Sequence, residues 1–454
     1  MERCEPGLNQ GSLIKGCMSK LQLQDQQLNL DFLNFLNGSP TPFHAVKNIA
    51  LLLKQNGFTE LDEKQNWYLE KGAAYYLIRA GSSIIAFIYG EETLENGVGI
   101  IGAHTDSPCL KLKPQPEWHH HGYQQFGIEV YGGVLLAPWF DRDLSLAGRV
   151  SWLDQDHCLQ QSLIDFKKPV AVIPSLAIHL DREVNKGREI NPEVQMKPIW
   201  QQREALLDFR LYLQEKLLAE GEPVNKVLDF NLSFYDTQPA ALIGENQEFI
   251  AGARLDNLLS CYVGARALML ADRKHTRVLV CNDHEEVGSR SHVGAQGPML
   301  VELLERLQPE NAKRQLMLRS SVMVSVDNAH GIHPNYPGKH EKNHGPILNA
   351  GPVLKFNANQ SYATSSDTAA MLRRLAELPG QPNIPLQAFT MRADMLCGST
   401  IGPITAAQTG ISAVDLGVPT FAMHSVRELA GARDTNFLLQ LLSRFLADSN
   451  FPLN

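Results

Sequence analysis

The chain of 454 residues is long enough for two or three domains, and its 44% hydrophobic and 20% charged residues are typical of a globular protein. A net charge of −8 argues against nucleic-acid binding driven by a basic field. We find no apolar stretch long enough to span a membrane, and the N-terminus lacks the apolar core of a secretory signal. The seven cysteines are scattered without a C-x-x-C motif, which argues against disulfides or a thiolate zinc site and predicts a reducing, cytoplasmic setting.

Residues 1–27 are predicted to form an N-terminal extension that begins as an irregular segment. The first regular elements follow it. A helix is predicted over 39–58, with Ser39 as its N-cap and Gly57 at its end. The runs "SSIIAFIYG" and "GVGIIGAHTDSP" are rich in β-branched residues and end in turn formers, so both are predicted to be strands.

Residues 111–246 show a different pattern. Short alternating runs such as "GIEVYGGVLLAPWF" and "LAGRVSWL" predict antiparallel strands, and a charged helix is predicted over 201–221. We interpret 111–246 as a smaller β-rich domain inserted into the first one.

An α/β alternation returns after residue 249. Apolar strands such as "RVLVC", "SSVMVSVD" and "ISAVDLG" alternate with helices predicted at about 256–272, 298–307, 366–376 and 433–448. This alternation predicts the fold class: an α/β domain, residues 28–110 and 247–454, with a mostly parallel sheet flanked by helices.

Acids and histidines follow several of these strands. Such sheets bind ligands at the carboxyl ends of their strands. The residues concerned are His104 and Asp106, Glu285 and Glu286, Asp327, and His424, with Asp256 at the start of a helix. Each has an ordinary explanation, such as an N-cap or a hydrogen-bonded loop residue, but together they would be costly to bury without a cation.

A metal cluster would offset that cost. The candidate ligands are His104, Asp256, Glu286, Asp327 and His424. Their mixture of imidazoles and carboxylates suits zinc, cobalt or manganese. Five ligands exceed the three of a catalytic zinc and fit two metals bridged by one carboxylate, for which we choose Asp256.

Glu285 and Glu286, which are adjacent in the sequence, are predicted to have different roles. Adjacent side chains in an extended segment point to opposite sides, so one can bind metal while the other acts as the general base. Spacing does not assign these two roles. Asp106 is placed to fix the tautomer of His104, and a turn-capping aspartate is the alternative.

With these residues and the motifs around them, the sequence resembles the aspartyl aminopeptidases, the dinuclear-zinc family that includes yeast vacuolar aminopeptidase I. The resemblance runs from about residue 28 to the end, in motifs such as "SPTPFHAV", "GAHTDSPCLKLKP", "NDHEEVGSRSHVGA" and "MHSVRE". The roles that it implies are one zinc on His104, Asp256 and Asp327, a second on Asp256, Glu286 and His424, Glu285 as general base, and Asp106 orienting His104.

The resemblance also implies an assembly. Its members form dodecamers built from dimers, with the inserted domain mediating dimerisation, and they act on peptides. The charge and hydropathy of the chain itself predict no nucleic-acid or membrane partner. His179 in "LAIHLDR" resembles the histidine that reaches a neighbouring subunit's active site. Without the resemblance, His179 reads as an ordinary histidine near a strand.

Specificity divides this family between acidic and neutral N-terminal residues such as Leu. Lys355 and Tyr362 lie in "GPVLKFNANQSYATSSD", which resembles the segment that contacts an acidic side chain, although Ser361 stands where many relatives carry arginine. His333 is expected to line the chamber or the cleft. The leading hypothesis is removal of N-terminal Asp or Glu; the alternatives are a neutral preference, a non-catalytic shell protein, or a metal site that only staples the strands.

Overall fold

The computed structural model describes residues 20–202 and 204–448. Over these residues the helices are α1 Lys20–Asn37, α2 Pro42–Gln55, α3 Pro192–Gln195, α4 Phe209–Ala219, α5 Leu255–Leu270, α6 Met299–Leu307, α7 Asn311–Arg319, α8 Ser366–Ala376, α9 Ile401–Thr409 and α10 Asp434–Ala447. The strands are β1 Thr59–Glu60, β2 Ala74–Arg79, β3 Ser83–Ile88, β4 Gly99–His104, β5 Cys109–His120, β6 Tyr123–Tyr131, β7 Leu144–Leu153, β8 Leu159–Asp165, β9 Ile199–Gln202, β10 Lys226–Asp236, β11 Ala241–Ile243, β12 Phe249–Gly252, β13 Arg277–Asn282, β14 Val322–Val326, β15 Ala329–His330, β16 Val353–Phe356, β17 Gln387–Thr390, β18 Ser412–Gly417, β19 Pro419–Phe421 and β20 Glu428–Gly431.

The largest sheet has nine strands in the order β1-β2-β3-β13-β4-β14-β18-β16-β17. Its four central strands, β13, β4, β14 and β18, are parallel. They are buried on both faces, which is why they read as continuous apolar runs. In β13, Leu279 and Cys281 face one core while Val278 and Val280 face the other.

Helices cover both faces of this sheet. Helices α1, α2, α5, α8 and α10 pack on one face, and α6, α7 and α9 pack on the other. The predicted α/β fold class is confirmed. Because β4 is hydrogen-bonded to both β13 and β14, the carboxyl ends of these three strands lie side by side.

A second sheet is entirely antiparallel, in the order β8-β7-β10-β5-β6-β9. Its core contains Phe126, Trp152 and Phe234, with Phe209 of α4 packed against them. Apart from the first two residues of β5, the sheet falls within the segment 111–246 where alternating strands were predicted. That 111–246 is a separate domain serving dimerisation stays a prediction.

A third sheet, β11-β12-β20-β19-β15, was not predicted. It is built from strands of two to four residues, too short to give a periodic signal in the sequence. The sheet matters for function because β12 leads into α5 and the turn between β19 and β20 carries His424.

Two helix boundaries differ from the sequence expectation. Helix α2 begins at Pro42 with Thr41 as its N-cap, and Ser39 is buried instead of capping; proline at the first helical position is preorganised for that role. The helix predicted over 201–221 begins only at Phe209, where Asp208 caps the Leu211 amide.

Residues 20–27 of the predicted extension belong to helix α1, and the irregular start of that extension lies outside the described residues. Within the described part of the chain, no helix combines the length and apolar character needed to cross a membrane.

Candidate metal centre

The strand ends deliver their polar side chains on strained turns. His284, directly before the two glutamates, has φ 63°, and Arg254, two residues before Asp256, has φ 62°. His424 itself has φ 68°. Such left-handed conformations are unfavourable for residues other than glycine and cluster at functional sites. The backbone is therefore shaped here to aim particular side chains.

Two groups of ligating side chains share one aspartate. We call His104, Asp256 and Asp327 the inner group, and Asp256, Glu286 and His424 the outer group; in each, the ligand atoms lie within 4.8 Å of one another. His104 Nε2 is 3.5 Å from Asp256 Oδ1 and from Asp327 Oδ1. His424 Nε2 is 3.4 Å from Asp256 Oδ2 and 3.3 Å from Glu286 Oε2. Asp256 thus presents one oxygen to each group.

Both histidines are held in the tautomer that frees Nε2. His424 Nδ1 lies 3.1 Å from the carbonyl oxygen of Gly133, and His104 Nδ1 lies 3.1 Å from that of Asp106. A carbonyl only accepts, so Nδ1 carries the proton in each ring. The Nε2 lone pairs that face the carboxylates are then available to a cation, as in ligating histidines generally.

Asp106 supports the turn that carries the glutamates. Its carboxylate accepts hydrogen bonds from the backbone amides of Glu285 and Glu286, each 3.1 Å long, and from the Tyr131 hydroxyl at 2.6 Å. Its Oδ1 is also 3.5 Å from His104 Nδ1. The Asp106 side chain therefore links the predicted general base to the inner group.

Glu285 and Glu286 lie in a short 3₁₀ turn, not in the extended segment that the sequence predicted. Ligand atoms of both glutamates nonetheless come within 4.8 Å of His104. Burial raises the pKa of Glu285 to about 7, and Asp327 is among the carboxylates that add to the effect. Glu285 is thus a partly buried carboxyl close to His104 that belongs to neither the inner nor the outer group.

The cluster has the properties of a cation site. Burial and the negative charge of Asp256 raise the pKa of Glu286 well above its usual value. Burial alone would lower the pKa of His104, but the surrounding aspartates outweigh it and raise that pKa. Asp256 Oδ1 and Glu286 Oε1 are buried without a hydrogen-bond partner. Orphaned carboxylate oxygens beside free imidazole nitrogens are the donors that zinc takes, so the residues present fit this metal.

Sequence reasoning missed one residue of this site, Glu428. It is buried at the start of β20, with Oε2 2.9 Å from the backbone amide of Asp256 and Oε1 2.8 Å from that of His424. Burial, assisted by Asp256, raises its pKa to about 8. The motif "MHSVRE" contains this residue, but nothing local in the sequence shows its contact with a residue 172 positions away.

The geometry agrees with comparisons to known proteins. The model of the family described as aminopeptidase I zinc metalloprotease (M18) matches residues 35–446. A probable M18 family aminopeptidase 2 of Pseudomonas putida F1 is 54% identical over 429 residues, covering 94% of this chain and 99% of that protein. The chain belongs to the M18 family. Its predicted resemblance to the aspartyl aminopeptidase group is thereby confirmed at family level.

Solved structures of similar proteins show the same fold. The chain matched in the cryo-EM structure of the Ape4 and Nbr1 complex has a TM-score of 0.90 at 38% identity, covering 94% of this chain and 87% of that one. The S. cerevisiae mApe1 dodecamer matches with a TM-score of 0.80 at 28% identity, covering 93% and 97%. This M18 chain is accordingly a zinc aminopeptidase, a hydrolase that removes N-terminal residues from peptides.

Lys355 and Tyr362 of this M18 protein lie beside the inner group. Lys355 is buried in β16, and its Nζ is 3.2 Å from Asp327 Oδ2 and 3.0 Å from the Asn328 carbonyl oxygen. Tyr362 is also buried, with its ring centroid 5.1 Å from the same Nζ. The ammonium thus pairs with a candidate metal ligand and keeps one donor for another acceptor.

The other two predicted substrate contacts belong to neither metal group. His333 lines a cavity of about 270 Å³ that His330, Phe389 and Phe421 also border. His179 lies in an exposed turn of residues 178–180. Its expected action in a neighbouring subunit stays a prediction.

Proposed function

We propose that this M18 aminopeptidase binds two zinc ions per chain, one in each group, with Asp256 as the bridge. The observation that carries the proposal is the division of the Asp256 carboxylate, Oδ1 toward His104 and Oδ2 toward His424. A mononuclear site would need one set of three ligands, whereas here two sets of three ligands share the carboxylate of Asp256. Cobalt or manganese would be accepted by the same nitrogen and oxygen donors.

In the proposed mechanism Glu285 is the general base. Zinc bound in the two groups would polarise the scissile carbonyl and acidify the attacking water. Glu285, which belongs to neither group, would take the proton of that water and pass it to the leaving amine. Asp106 serves this step by holding the Glu285 amide, and so the direction of the carboxylate.

Glu285→Gln tests the base directly. The amide has nearly the same shape but cannot accept the proton, so kcat should fall by roughly 10²–10⁴-fold. Zinc content should stay at the wild-type value, because Glu285 holds neither ion. Peptide hydrolysis at a near wild-type rate would overturn the mechanism.

We propose Asp and Glu as the preferred N-terminal residues. Lys355 supports the proposal, because its buried ammonium lies beside the metal groups, and one of its donors remains for a substrate carboxylate. A neutral preference is the second candidate. It is favoured by Ser361, which brings no second cation, and by the apolar Phe389 and Phe421 on the neighbouring cavity.

Aspartyl, glutamyl and leucyl anilides compared on one zinc-loaded preparation decide between the two preferences. If Lys355 recognises the substrate carboxylate, Lys355→Met should lower kcat/KM for the acidic anilides by about tenfold or more relative to the leucyl anilide. Lys342→Met, which removes an exposed lysine outside the cavity lined by His333, serves as the matched control. A higher wild-type kcat/KM for the leucyl substrate would contradict the acidic preference.

We also propose a homo-oligomer, specifically a dodecamer built from dimers through the antiparallel sheet. The dodecameric S. cerevisiae relative supports this assembly. His179, exposed in the single chain, would then reach the site of a neighbouring subunit. The cytoplasm is the proposed compartment, supported by the absence of disulfides among the five cysteines that the structure describes.

A further inference from the structure

One buried carboxylate holds the backbone of two outer-group ligands at the same time. Glu428 is 3% exposed, and its two oxygens accept from the amides of Asp256 and His424 at 2.9 and 2.8 Å. Asp256 lies at the start of α5, and His424 lies in the turn between β19 and β20. Glu428 therefore links these two segments by side-chain hydrogen bonds, in addition to the pairing of β12 with β20.

The need for such a link is clearest at His424. Its φ of 68° is unfavourable for a residue with a Cβ, and the nearby Ala422 has φ 55°. Asp256 has φ −81° and ψ 105° and so departs from the helix in which it lies. Neither amide is used in a regular helix or sheet pair, and the carboxylate satisfies both.

We infer that Glu428 is a positioning residue that sets the distance between Asp256 and His424 and thereby the zinc affinity of the outer group. The inference rests on the two-zinc function proposed above. Glu428 hydrogen-bonds the ligands' backbone, and the ion would be held by their side chains. Replacing hydrogen-bond partners of ligating side chains typically changes metal affinity by about 10–100-fold, and we expect a change of that order for this backbone partner.

Asp434 offers a matched control in the same chain. It is also fully buried, and its carboxylate accepts from two backbone amides, those of Asn349 and Gly351, at 2.6 and 2.9 Å. It belongs to neither metal group. Like Glu428→Gln, Asp434→Asn replaces a buried carboxylate that accepts from two amides. Unlike Glu428→Gln, it leaves the outer group unaltered.

The test is Glu428→Gln, compared with Asp434→Asn and the wild type. A glutamine can accept from only one of the two amides and turns its NH₂ group toward the other. After equilibration in zinc buffers, bound zinc per chain should fall from two to one at zinc concentrations that keep the wild type fully loaded. The zinc concentration for half-maximal kcat should rise by about 10–100-fold, and excess zinc should restore kcat. Asp434→Asn should lower Tm without changing either zinc readout.

The outcomes distinguish failure of this inference from failure of the proposed two-zinc function. A wild type that binds fewer than two zinc ions refutes the two-zinc function and the inference with it. A wild type with two ions and a Glu428→Gln variant with unchanged zinc affinity refutes the inference alone. Glu428→Asp, whose shorter side chain cannot reach both amides, is made in parallel in case the glutamine variant does not fold. Failure of both to fold beside a folded Asp434→Asn would assign Glu428 to the core and overturn its role in positioning.

Discussion

The inner and outer groups are built from different kinds of structure. The His104 and Asp327 side chains, 2% and 14% exposed, follow two neighbouring central strands of the nine-stranded sheet. The His424 side chain is 30% exposed and lies in a turn of the short-stranded sheet, braced by Glu428 and by the Gly133 carbonyl. A group carried by paired strands is more rigid than one assembled between loops. We therefore expect the two zinc ions to differ in how firmly they are held.

The largest effect should come from the residue that the two groups share. Asp256→Asn removes the bridging charge from both groups, whereas His424→Ala removes a ligand from the outer group only. We expect Asp256→Asn to lose both ions and to lower kcat by roughly 10³-fold or more. His424→Ala should retain one ion. Zinc analysis of the two folded variants checks this difference, and equal losses in both would refute the division into two groups.

Zinc release should occur in two phases of different rate. When a chromophoric chelator is mixed with the loaded enzyme, the more exposed outer group should release its ion roughly tenfold faster or more. The fast phase should be absent from His424→Ala, and circular dichroism should show that the protein remains folded after both phases. Unfolding on zinc removal would instead support a metal that only staples the strands.

The smallest effect should come from Ser361, outside both groups. Ser361→Arg adds a cation next to Tyr362, and a partly exposed pair of this kind contributes about 0.2–1 kcal/mol. The ratio of kcat/KM for aspartyl over leucyl anilide should rise by roughly 1.4- to 5-fold. Asn359→Arg, at an exposed position of the same loop, controls for a general charge effect. An equal rise in that control would show that Ser361 does not face the substrate side chain.

The ligands of both groups were predicted from the sequence, whereas the residues that support them were not. His104, Glu285 and Asp327 lie at or just after the ends of continuous apolar strands. Such strands can be recognised in the sequence, and their carboxyl ends predict the edge of the sheet where ligands bind. The sequence therefore predicts that these side chains lie near one another, and the structure places them together. The four central strands were predicted for the same reason, as were helices α2, α5, α6, α8 and α10 beside them, whereas α1, α7 and α9 were not.

What remained hidden depends on contacts between distant parts of the chain. Glu428 bonds to an amide 172 residues away, and Tyr131 bonds to Asp106 from the antiparallel sheet. The strands around His424 have no more than four residues, too few for a period to show. Lys355 could be read as a loop residue because strand β16 around it is only four residues long. Glu428, the Tyr131 contact and the burial of Lys355 are thus the parts of the site for which the structure was needed.

Anomalous diffraction at the zinc edge from crystals of the loaded enzyme tests the central claim most directly. The account predicts two peaks per chain roughly 3.5–4 Å apart, one contacted by His104 and Asp327, the other by Glu286 and His424, and both by Asp256. A single peak, or two peaks that do not share Asp256, would contradict it.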